Sequence, residues 1–378
     1  MAAPVVRVGM PASLSGQFHV QGRQALAGLR AWAADVNAAG GVDAGGRSVP
    51  VEVVHYDDES RRDRVREATR RLILEGRVDL LMGPYSTVLS NAAAEVSEEL
   101  GWTLWNQGGA GDGIYRRGYR GVVGILTPAS RYLSGLLPLV REVDGEARTL
   151  AVVRSGSGAF SRAVTRGMER EARELGFETV LVLQYDPEQP RFDDIVGKLR
   201  ELEPDVLVGV GRIYNDLDFA RWLAEAPPRI GAVAVVAAGI QQFQEALGAE
   251  SDGFTGPSQW EPGSTGTVDY GPPEADVLAS LERAGGGPVD YPMAQAYAAG
   301  LVAQRCVEMA GSLDQDALRR AAGTLDFTTF YGRFRIDPAT GEQVGRPVSL
   351  VQWQQGRKVV GWPPERRGGE LVYPWRSG

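Results

Sequence analysis

Short runs rich in apolar residues alternate along most of the chain with longer segments of helical periodicity. The apolar runs predict strands at 5–9, 49–55, 78–82, 102–105, 148–153, 179–183, 205–210 and 232–237. Between them, helical spacing is found at 21–37, 59–75, 161–175, 191–202 and 216–225. Repeated βα units with near-continuous apolar strands are typical of parallel sheets that are covered on both faces. The pattern predicts an α/β fold with two doubly wound parallel-sheet lobes.

The last third of the chain changes character. A loop rich in Gly, Pro and Ser at 256–273 precedes helices predicted near 274–284 and 292–310. Strands are then predicted at 330–336, 348–353 and 357–360, with turn residues between them.

Composition narrows the possible functions. A length of 378 residues favours two domains. The net charge of -8 argues against a nucleic-acid partner. With one cysteine and two histidines in the whole chain, we expect neither a metal site nor a cofactor.

No apolar run approaches the roughly 18 residues of a membrane span. Because the first strand begins almost at Met1, either the protein is cytosolic or a leader peptide has been removed.

The main chemical signal is a strand-to-helix corner. The run Val78–Met82 ends at Gly83-Pro84, and Tyr85, Ser86 and Thr87 then precede an Ala-rich helical pattern. Unpaired N–H groups and the dipole of a helix N-terminus favour an anion. Ser86 or Thr87 caps this helix and can also face a ligand at the carboxyl ends of the strands. The alternative is that the hydroxyl serves only as the cap.

A second corner follows directly. Trp102-Thr103-Leu104-Trp105 leads into Asn106-Gln107-Gly108-Gly109-Ala110-Gly111-Asp112. Two adjacent corners indicate a small-molecule site. At least one of Trp102 and Trp105 is expected to be core packing, because strand alternation sends neighbouring parities to opposite faces.

No catalytic constellation accompanies these corners. The sequence has neither a G-x-S-x-G elbow nor a G-x-x-x-x-G-K-[ST] loop. Asp57 and Asp58 are adjacent carboxylates at a strand end, and neighbours on a strand point apart. We interpret them as a loop or capping pair, and we predict that the protein is not an enzyme.

The order of several motifs resembles one family over nearly the whole chain. The motifs are the opening VRVGMPASLSGQFHVQGRQALAGLRAWAADVNAAGGV, the strand end Val54-His55-Tyr56-Asp57-Asp58, the two corners, Arg117-Gly118-Tyr119, and the closing segment around Gly332, Phe334 and Asp337. The chain resembles the type I periplasmic solute-binding proteins, in particular the branched-chain amino acid (Leu/Ile/Val)-binding branch.

The resemblance implies two lobes that close over a ligand in the cleft between them. Lobe one would comprise 1–125 and 256–329, and lobe two would comprise 126–255 and 330–378. Three hinge crossings would fall near Thr127, Thr255 and Thr329. The partners implied are a small-molecule ligand and an ABC permease, with a monomeric protein in the periplasm or outside the cell, where a lipid anchor is compatible with the family.

The resemblance also assigns binding positions. A hydroxyl four residues after the strand-ending glycine, here Thr87, would hold a ligand carboxylate. The ligand-binding candidates are Tyr85, Ser86, Thr87, Asn106, Gln107, Gly108, Ala110, Phe160, Arg212, Tyr214 and Gln241. The candidates for the pocket edge are Phe18, Gln21, Trp105, Gly239 and Tyr291. Arg212 can pair with an acidic ligand or be a solvated rim residue.

Two departures from the family pattern concern the ligand. Ala110 stands where the family has a threonine, and Asn106 and Gln107 are the polar residues that can compensate. The family's ammonium-binding glutamate has no counterpart in 237–242, where Gln241 and Gln242 are the polar residues. Because a neutral amide pairs poorly with a buried ammonium, an amide, a urea-like compound or an aromatic carboxylate suits the sequence better than an ordinary α-amino acid. A ligand-sensing domain of the same fold is the alternative to transport.

Overall fold

The computed structural model describes residues 4–263 and 265–376. Its strands are β1 (Val6–Ala12), β2 (Val42–Asp43), β3 (Ser48–Val49), β4 (Val51–Asp57), β5 (Leu80–Met82), β6 (Leu104–Asn106), β7 (Val122–Gly124), β8 (Thr149–Ser155), β9 (Glu178–Tyr185), β10 (Val206–Val210), β11 (Ala232–Val235), β12 (Thr255–Ser258), β13 (Phe327–Thr329), β14 (Gly332–Phe334), β15 (Ser349–Gln354) and β16 (Arg357–Trp362).

Its α-helices are α1 (His19–Ala38), α2 (Arg62–Leu74), α3 (Thr87–Leu100), α4 (Leu136–Val143), α5 (Ala159–Leu175), α6 (Phe192–Leu202), α7 (Ile213–Glu225), α8 (Gln241–Leu247), α9 (Glu274–Gly285), α10 (Tyr291–Ala310) and α11 (Gln315–Thr324). Asp290 and Asp314 cap the N-termini of α10 and α11. Left-handed glycines end α3, α5 and α10 at Gly101, Gly176 and Gly311.

The chain divides into two compact units. Unit 1 extends to Pro128 and resumes at Pro262–Arg346, and unit 2 comprises Ala129–Glu261 and the chain from Pro347 onward. The chain therefore passes three times between the units.

Unit 1 is built on a five-stranded sheet of order β4-β1-β5-β6-β7, in which every recorded pair is parallel. Leu81, Leu104 and Val122 of this sheet share one core with α2 and α3. Helices α9 and α10 both pack against α1. The predicted α/β fold with parallel sheets is confirmed here.

Unit 2 contains a seven-stranded sheet of order β16-β15-β12-β11-β10-β8-β9. Its β8–β12 pairs are parallel, whereas β15 and β16 are antiparallel. Its core includes Leu207, Phe219, Phe243 and Trp353.

All three expected boundaries precede those of the structure, and the first differs by only three residues, because 126–128 belong to unit 1. Residues 256–261 lie in unit 2, because β12 extends its sheet. Residues 330–346 lie in unit 1 rather than with the C-terminal strands. There Phe330 packs edge-on against Tyr297 of α10 at 5.5 Å, and Thr127 Oγ1 donates to the carbonyl of Arg346 at 3.1 Å. The third crossing is therefore at 346/347 and not near Thr329.

The predicted helix at 59–75 begins only at Arg62. Glu59 and Ser60 have φ values of 53° and 56°, which a helix does not accommodate. Asp57 Oδ1 accepts from the N–H groups of Leu14 and Glu59, and Asp58 Oδ1 accepts from Ser13 Oγ and the Ser60 N–H. The two carboxylates thus hold two loops, in agreement with their interpretation as a loop pair.

Candidate ligand-binding site

The first corner forms as a tight link between β5 and α3. After Gly83-Pro84-Tyr85, Ser86 occupies the N-cap of α3, and its side chain accepts from the Leu89 N–H at 3.4 Å. The backbone of Ser86 has φ 83° and ψ 148°, a region that glycine normally occupies. Because strained backbone persists only where its surroundings enforce it, the corner is a candidate functional feature.

The two predicted corners interlock. The Gly83 N–H donates to the Trp105 carbonyl and the Ser86 N–H donates to the Gly108 carbonyl, both at 2.9 Å. Gln107 Nε2 donates to the Gly83 carbonyl at 2.6 Å. The structure therefore brings together the residues of 83–87 and 105–111 that the sequence assigned to one site.

Thr87 is the first residue of α3 and is half-buried. Its Oγ1 accepts a hydrogen bond from the Gly111 N–H at 3.0 Å. A hydroxyl has one donor hydrogen besides its acceptor lone pairs. Because Gly111 uses an acceptor position, the Thr87 hydroxyl can donate its hydrogen to an anion at the helix N-terminus.

Asn106 serves the loop itself. Its Nδ2 donates to the Gly109 carbonyl at 2.7 Å and to the Tyr115 hydroxyl at 3.1 Å, while its Oδ1 accepts from the Gly109 N–H at 3.0 Å. This fully buried amide thus holds the glycine-rich turn and does not replace the hydroxyl missing at Ala110, which is itself buried. Gln107 is also fully buried, and its Oε1 has no partner among the described residues.

An aromatic group lies beside the first corner. The rings of Phe18 and Tyr85 are 5.9 Å apart at an angle of 59°. Burial raises the pKa of Tyr85 to about 12, although a hydrogen bond with Tyr291 opposes the shift. Tyr85 is therefore a neutral donor and acceptor at physiological pH. Gln21, on α1, is buried.

Trp105 does not fit the expected position at the pocket edge. It lies in β6, paired to Met82 on one side and Val123 on the other, and its side chain has no exposed surface. Trp102 Nε1 donates to the Val78 carbonyl at 3.0 Å. Both tryptophans have packing roles, where the sequence predicted at least one.

In unit 2, Phe160 lies in the first turn of α5. Its ring packs edge-on against Tyr132 at 5.3 Å, a neighbour that the sequence analysis did not identify. Arg212 is the N-cap residue of α7; its Nη1 donates to Glu188 at 2.7 Å and to the Tyr214 hydroxyl at 2.5 Å. Since Glu188 is largely exposed and Arg212 is half-exposed, the geometry favours the rim interpretation of Arg212.

The segment before α8 is closely packed. Gly239 lies against the backbone carbonyl of Pro257, where a Cβ has no room. Gln241 is the half-buried first residue of α8 and already has an interaction partner.

The sequence analysis missed an acid beside this segment. Asp216, in the first turn of α7, is buried and its Oδ2 accepts from the Ala237 N–H at 3.1 Å. Burial raises the pKa of Asp216 well above its usual value, against hydrogen bonds from the Ala237 and Gly211 backbone. The only available signal was an acidic residue in the first turn after an apolar strand.

Neither a metal centre nor a membrane-spanning helix is found in the described part of the chain. Among residues 4–263 and 265–376, no group of three His, Cys, Asp or Glu side chains is arranged to hold a metal ion. In the same part of the chain, no helix combines the length and the apolar character needed to cross a membrane.

Comparison with known proteins identifies the family of this chain. The sequence model of the periplasmic binding proteins matches residues 5–358. A Leu/Ile/Val-binding protein homolog of Brucella suis is 21% identical over 99% of this chain and 96% of its own length. The chain belongs to the periplasmic binding protein family.

Solved structures show the same fold. The leucine binding protein of Thermotoga maritima superposes with a TM-score of 0.81 at 17% identity, covering 94% of this chain and 97% of its own. A solute binding protein of an ABC transporter from R. palustris, solved in complex with benzoate, gives a TM-score of 0.77 at 20% identity, covering 97% of this chain and 100% of its own. The type I periplasmic binding protein architecture is thus established for this chain.

Proposed function

We propose that the protein captures a small carboxylate that lacks an α-ammonium group, in particular an aromatic carboxylate. It would act outside the cytoplasm as a monomeric substrate-binding protein that delivers this ligand to an ABC permease, without any chemical conversion. The ligand would dock first on unit 1, and closure of the second lobe, which the family resemblance implies, belongs to the proposal. A lipid anchor is compatible with this role.

The observation that carries the proposal is the Thr87 hydroxyl at the start of α3. Its acceptor bond from Gly111 leaves a hydrogen to donate, and the first N–H groups of α3 have no partner within the helix. A carboxylate there receives charge-assisted hydrogen bonds and the favourable end of the helix dipole without a cationic side chain.

The residues around this anion position suit a ring. Phe18, Tyr85 and Tyr291 form a connected aromatic group beside Ser86 and Thr87. An aromatic ligand can pack edge-to-face or offset against such side chains.

The residues that would face a ligand ammonium group offer it a weak partner. Residues 237–242 contain no acid, and the neighbouring Asp216 carboxyl is buried and bonded to the Ala237 N–H. Relatives of the same fold include proteins solved with benzoate and with 4-hydroxybenzoate as well as one solved with isoleucine. The first group supports an aromatic carboxylate.

A thermal-shift screen tests the ligand class. Benzoate and 4-hydroxybenzoate should raise the melting temperature, with a stabilisation of about 2.7 kcal/mol at a hundredfold excess over Kd. Leucine, which shares the carboxylate but adds the ammonium and lacks the ring, is the comparison and should have little effect. A response to leucine alone, or no response to any carboxylate, would refute the proposal.

A further inference from the structure

A second cavity lies within unit 1, away from the strand-helix corners. It has a volume of about 550 Å³ and is lined by α1, α9 and the end of β4. On α1 its lining residues recur at the three- and four-residue spacing of one helix face: Arg23, Leu26, Ala27, Arg30, Ala31 and Ala34. The alanines give this face a shallow apolar floor, and arginines stand along it.

Three guanidinium groups, those of Arg23, Arg30 and Arg283, line the cavity. Arg23 donates from Nε and Nη2 to the Leu14 carbonyl at 3.2 and 3.0 Å. The Nη2 of Arg30 lies 3.5 Å from His55 Nδ1, and the Nη2 of Arg283 donates to Ser280 Oγ at 2.8 Å. Each cation is held by a neutral acceptor, so its remaining donors are available.

Asp35, an acid of the cavity lining, is already engaged. Its Oδ1 accepts from Ser280 Oγ at 2.9 Å, and its Oδ2 accepts from the Tyr297 hydroxyl at 2.8 Å. The chain of bonds from Tyr297 through Asp35 and Ser280 positions Arg283, while the cavity retains an excess of positive charge.

Several other arginines of this unit are paired with carboxylates. Arg66 and Arg117 pair with Glu95, and Arg70 pairs with Glu99. Within 4–263 and 265–376, by contrast, no carboxylate lies within ion-pair distance of Arg23, Arg30 or Arg283. A protein with a net charge of -8 thus concentrates unpaired cations around one concavity.

We propose that this cavity binds a small soluble organic anion that carries phosphate groups, at a site separate from the solute site. Guanidinium forks match phosphate oxygens in geometry and remain charged at all physiological pH values. Arg23 and Arg30 are two helical turns apart, or roughly 10 Å along α1, so a diphosphate can contact both ends of the cationic face. A cavity of this size accommodates an organic body over the alanine floor.

Calorimetric titration with adenosine diphosphate and with inorganic pyrophosphate tests the site. Both probes should bind at low ionic strength, and affinity should fall as salt is added. The double variant Arg30→Gln/Arg283→Gln should weaken ADP by about tenfold or more, since each change removes charge-assisted hydrogen bonds. The matched control Arg47→Gln/Arg62→Gln removes two exposed cations of the same unit outside the cavity and should bind ADP as the parent does.

A spectroscopic measurement does not depend on the variants. Burial and the charge of Arg30 lower the pKa of His55, so its imidazole is neutral near pH 7. An anion beside Arg30 offsets that charge, so ADP should shift the His55 ring resonances toward the protonated form. His19, outside the cavity, is the internal reference and should not move.

Three results would overturn the proposal. The first is no binding of either probe together with unchanged His55 resonances. The second is an equal loss of ADP affinity in the control variant, which would indicate nonspecific charge attraction. The third is binding to phosphatidylglycerol vesicles without binding to free ADP or pyrophosphate, which would assign the cations to a membrane surface. None of these results bears on the benzoate screen, so this proposal and the solute proposal fail independently.

Discussion

The backbone N–H of Gly111 donates a hydrogen bond of 3.0 Å to Thr87 Oγ1. This bond ties the loop after β6 to the first residue of α3. It uses an acceptor position of the Thr87 hydroxyl and leaves the hydroxyl hydrogen available for an anion at the helix N-terminus. The structural role of Thr87 and the binding role proposed for it can be separated by a suitable substitution.

Replacing Thr87 by valine removes the hydroxyl at nearly constant volume. Binding of the carboxylate ligand should weaken by about 1.5–3 kcal/mol, the usual contribution of a hydrogen bond to a charged group. Thr87→Ser is the control, since it keeps the hydroxyl and should retain most of the affinity. Calorimetry with the ligand identified by thermal shift measures both. Unchanged affinity in Thr87→Val would show that Thr87 serves only the loop.

Replacing Ser86 by glycine should stabilise the protein. Its backbone, at φ 83° and ψ 148°, costs of order 1–3 kcal/mol for a residue with a side chain, whereas loss of the cap to glycine costs a few tenths of a kcal/mol. After allowance for the greater freedom of glycine in the unfolded chain, the free energy of unfolding should rise by about 1 kcal/mol.

The control for Ser86→Gly is the same substitution at another serine of α3. Ser97 is buried in the body of α3, so Ser97→Gly should lower the free energy of unfolding by about 0.5 kcal/mol or more. Denaturant unfolding of the two variants gives opposite signs. A loss of stability in both would mean that the Ser86 backbone is not strained.

Most of the site's framework was predictable because it depends on local signals. A short apolar run, a glycine-proline stop and a hydroxyl before an Ala-rich helix locate the first corner without tertiary information. The role of Asn106 was not predictable. Its amide forms hydrogen bonds with the Gly109 backbone and the Tyr115 hydroxyl, and these bonds depend on how the loop folds back.

The boundaries of the two units and the cationic cavity depend on tertiary contacts, which the local sequence pattern does not contain. Phe330 is apolar in either unit, and tertiary contacts such as its packing on Tyr297 place 330–346 in unit 1. Likewise Arg23 and Arg30 have the pattern of a solvated helix face. They line a cavity only because α9 packs beside α1, as in the hydrogen bond between Ser280 and Asp35, which are 245 positions apart.

Gly239 should not tolerate a side chain. A Cβ at this position would collide with the Pro257 carbonyl, which belongs to the backbone and cannot move aside as a side chain can. Gly239→Ala should therefore destabilise the protein by about 1–3 kcal/mol.

The matched glycine for this test is Gly197, in the interior of α6, where no described residue has an atom within 4 Å of the position of a Cβ. Gly197→Ala should raise the free energy of unfolding by about 1 kcal/mol, because alanine favours the helix. Thermal unfolding of the two variants measures the contrast. Equal stability of Gly239→Ala and the parent protein would show that the segment before α8 can relax away from Pro257.

Asp58 should make the protein less stable as pH rises through the mildly acidic range. Burial raises its pKa from 3.8 to about 6, and the Asp57 charge adds to the shift, while hydrogen bonds from Ser13 and Ser60 oppose it. Between these two values the folded state binds more protons than the unfolded state, so the free energy of unfolding falls as pH increases. The loss from this residue is about 3 kcal/mol, complete above the folded-state pKa and absent below pH 3.8.

Asp58→Asn isolates this contribution from the other groups that titrate in the same range. An asparagine Oδ1 can still accept from Ser13 Oγ and the Ser60 N–H, and its uncharged amide replaces Oδ2, which has no partner among the described residues. Urea unfolding of both proteins from pH 4 to pH 8 should show a gain for the variant that grows with pH and levels off above about pH 6. A stability difference that is constant across this range would mean that the Asp58 carboxyl keeps its ordinary pKa in the folded protein. The loop at 13–18, which carries Phe18, would then not be linked to proton uptake at this position.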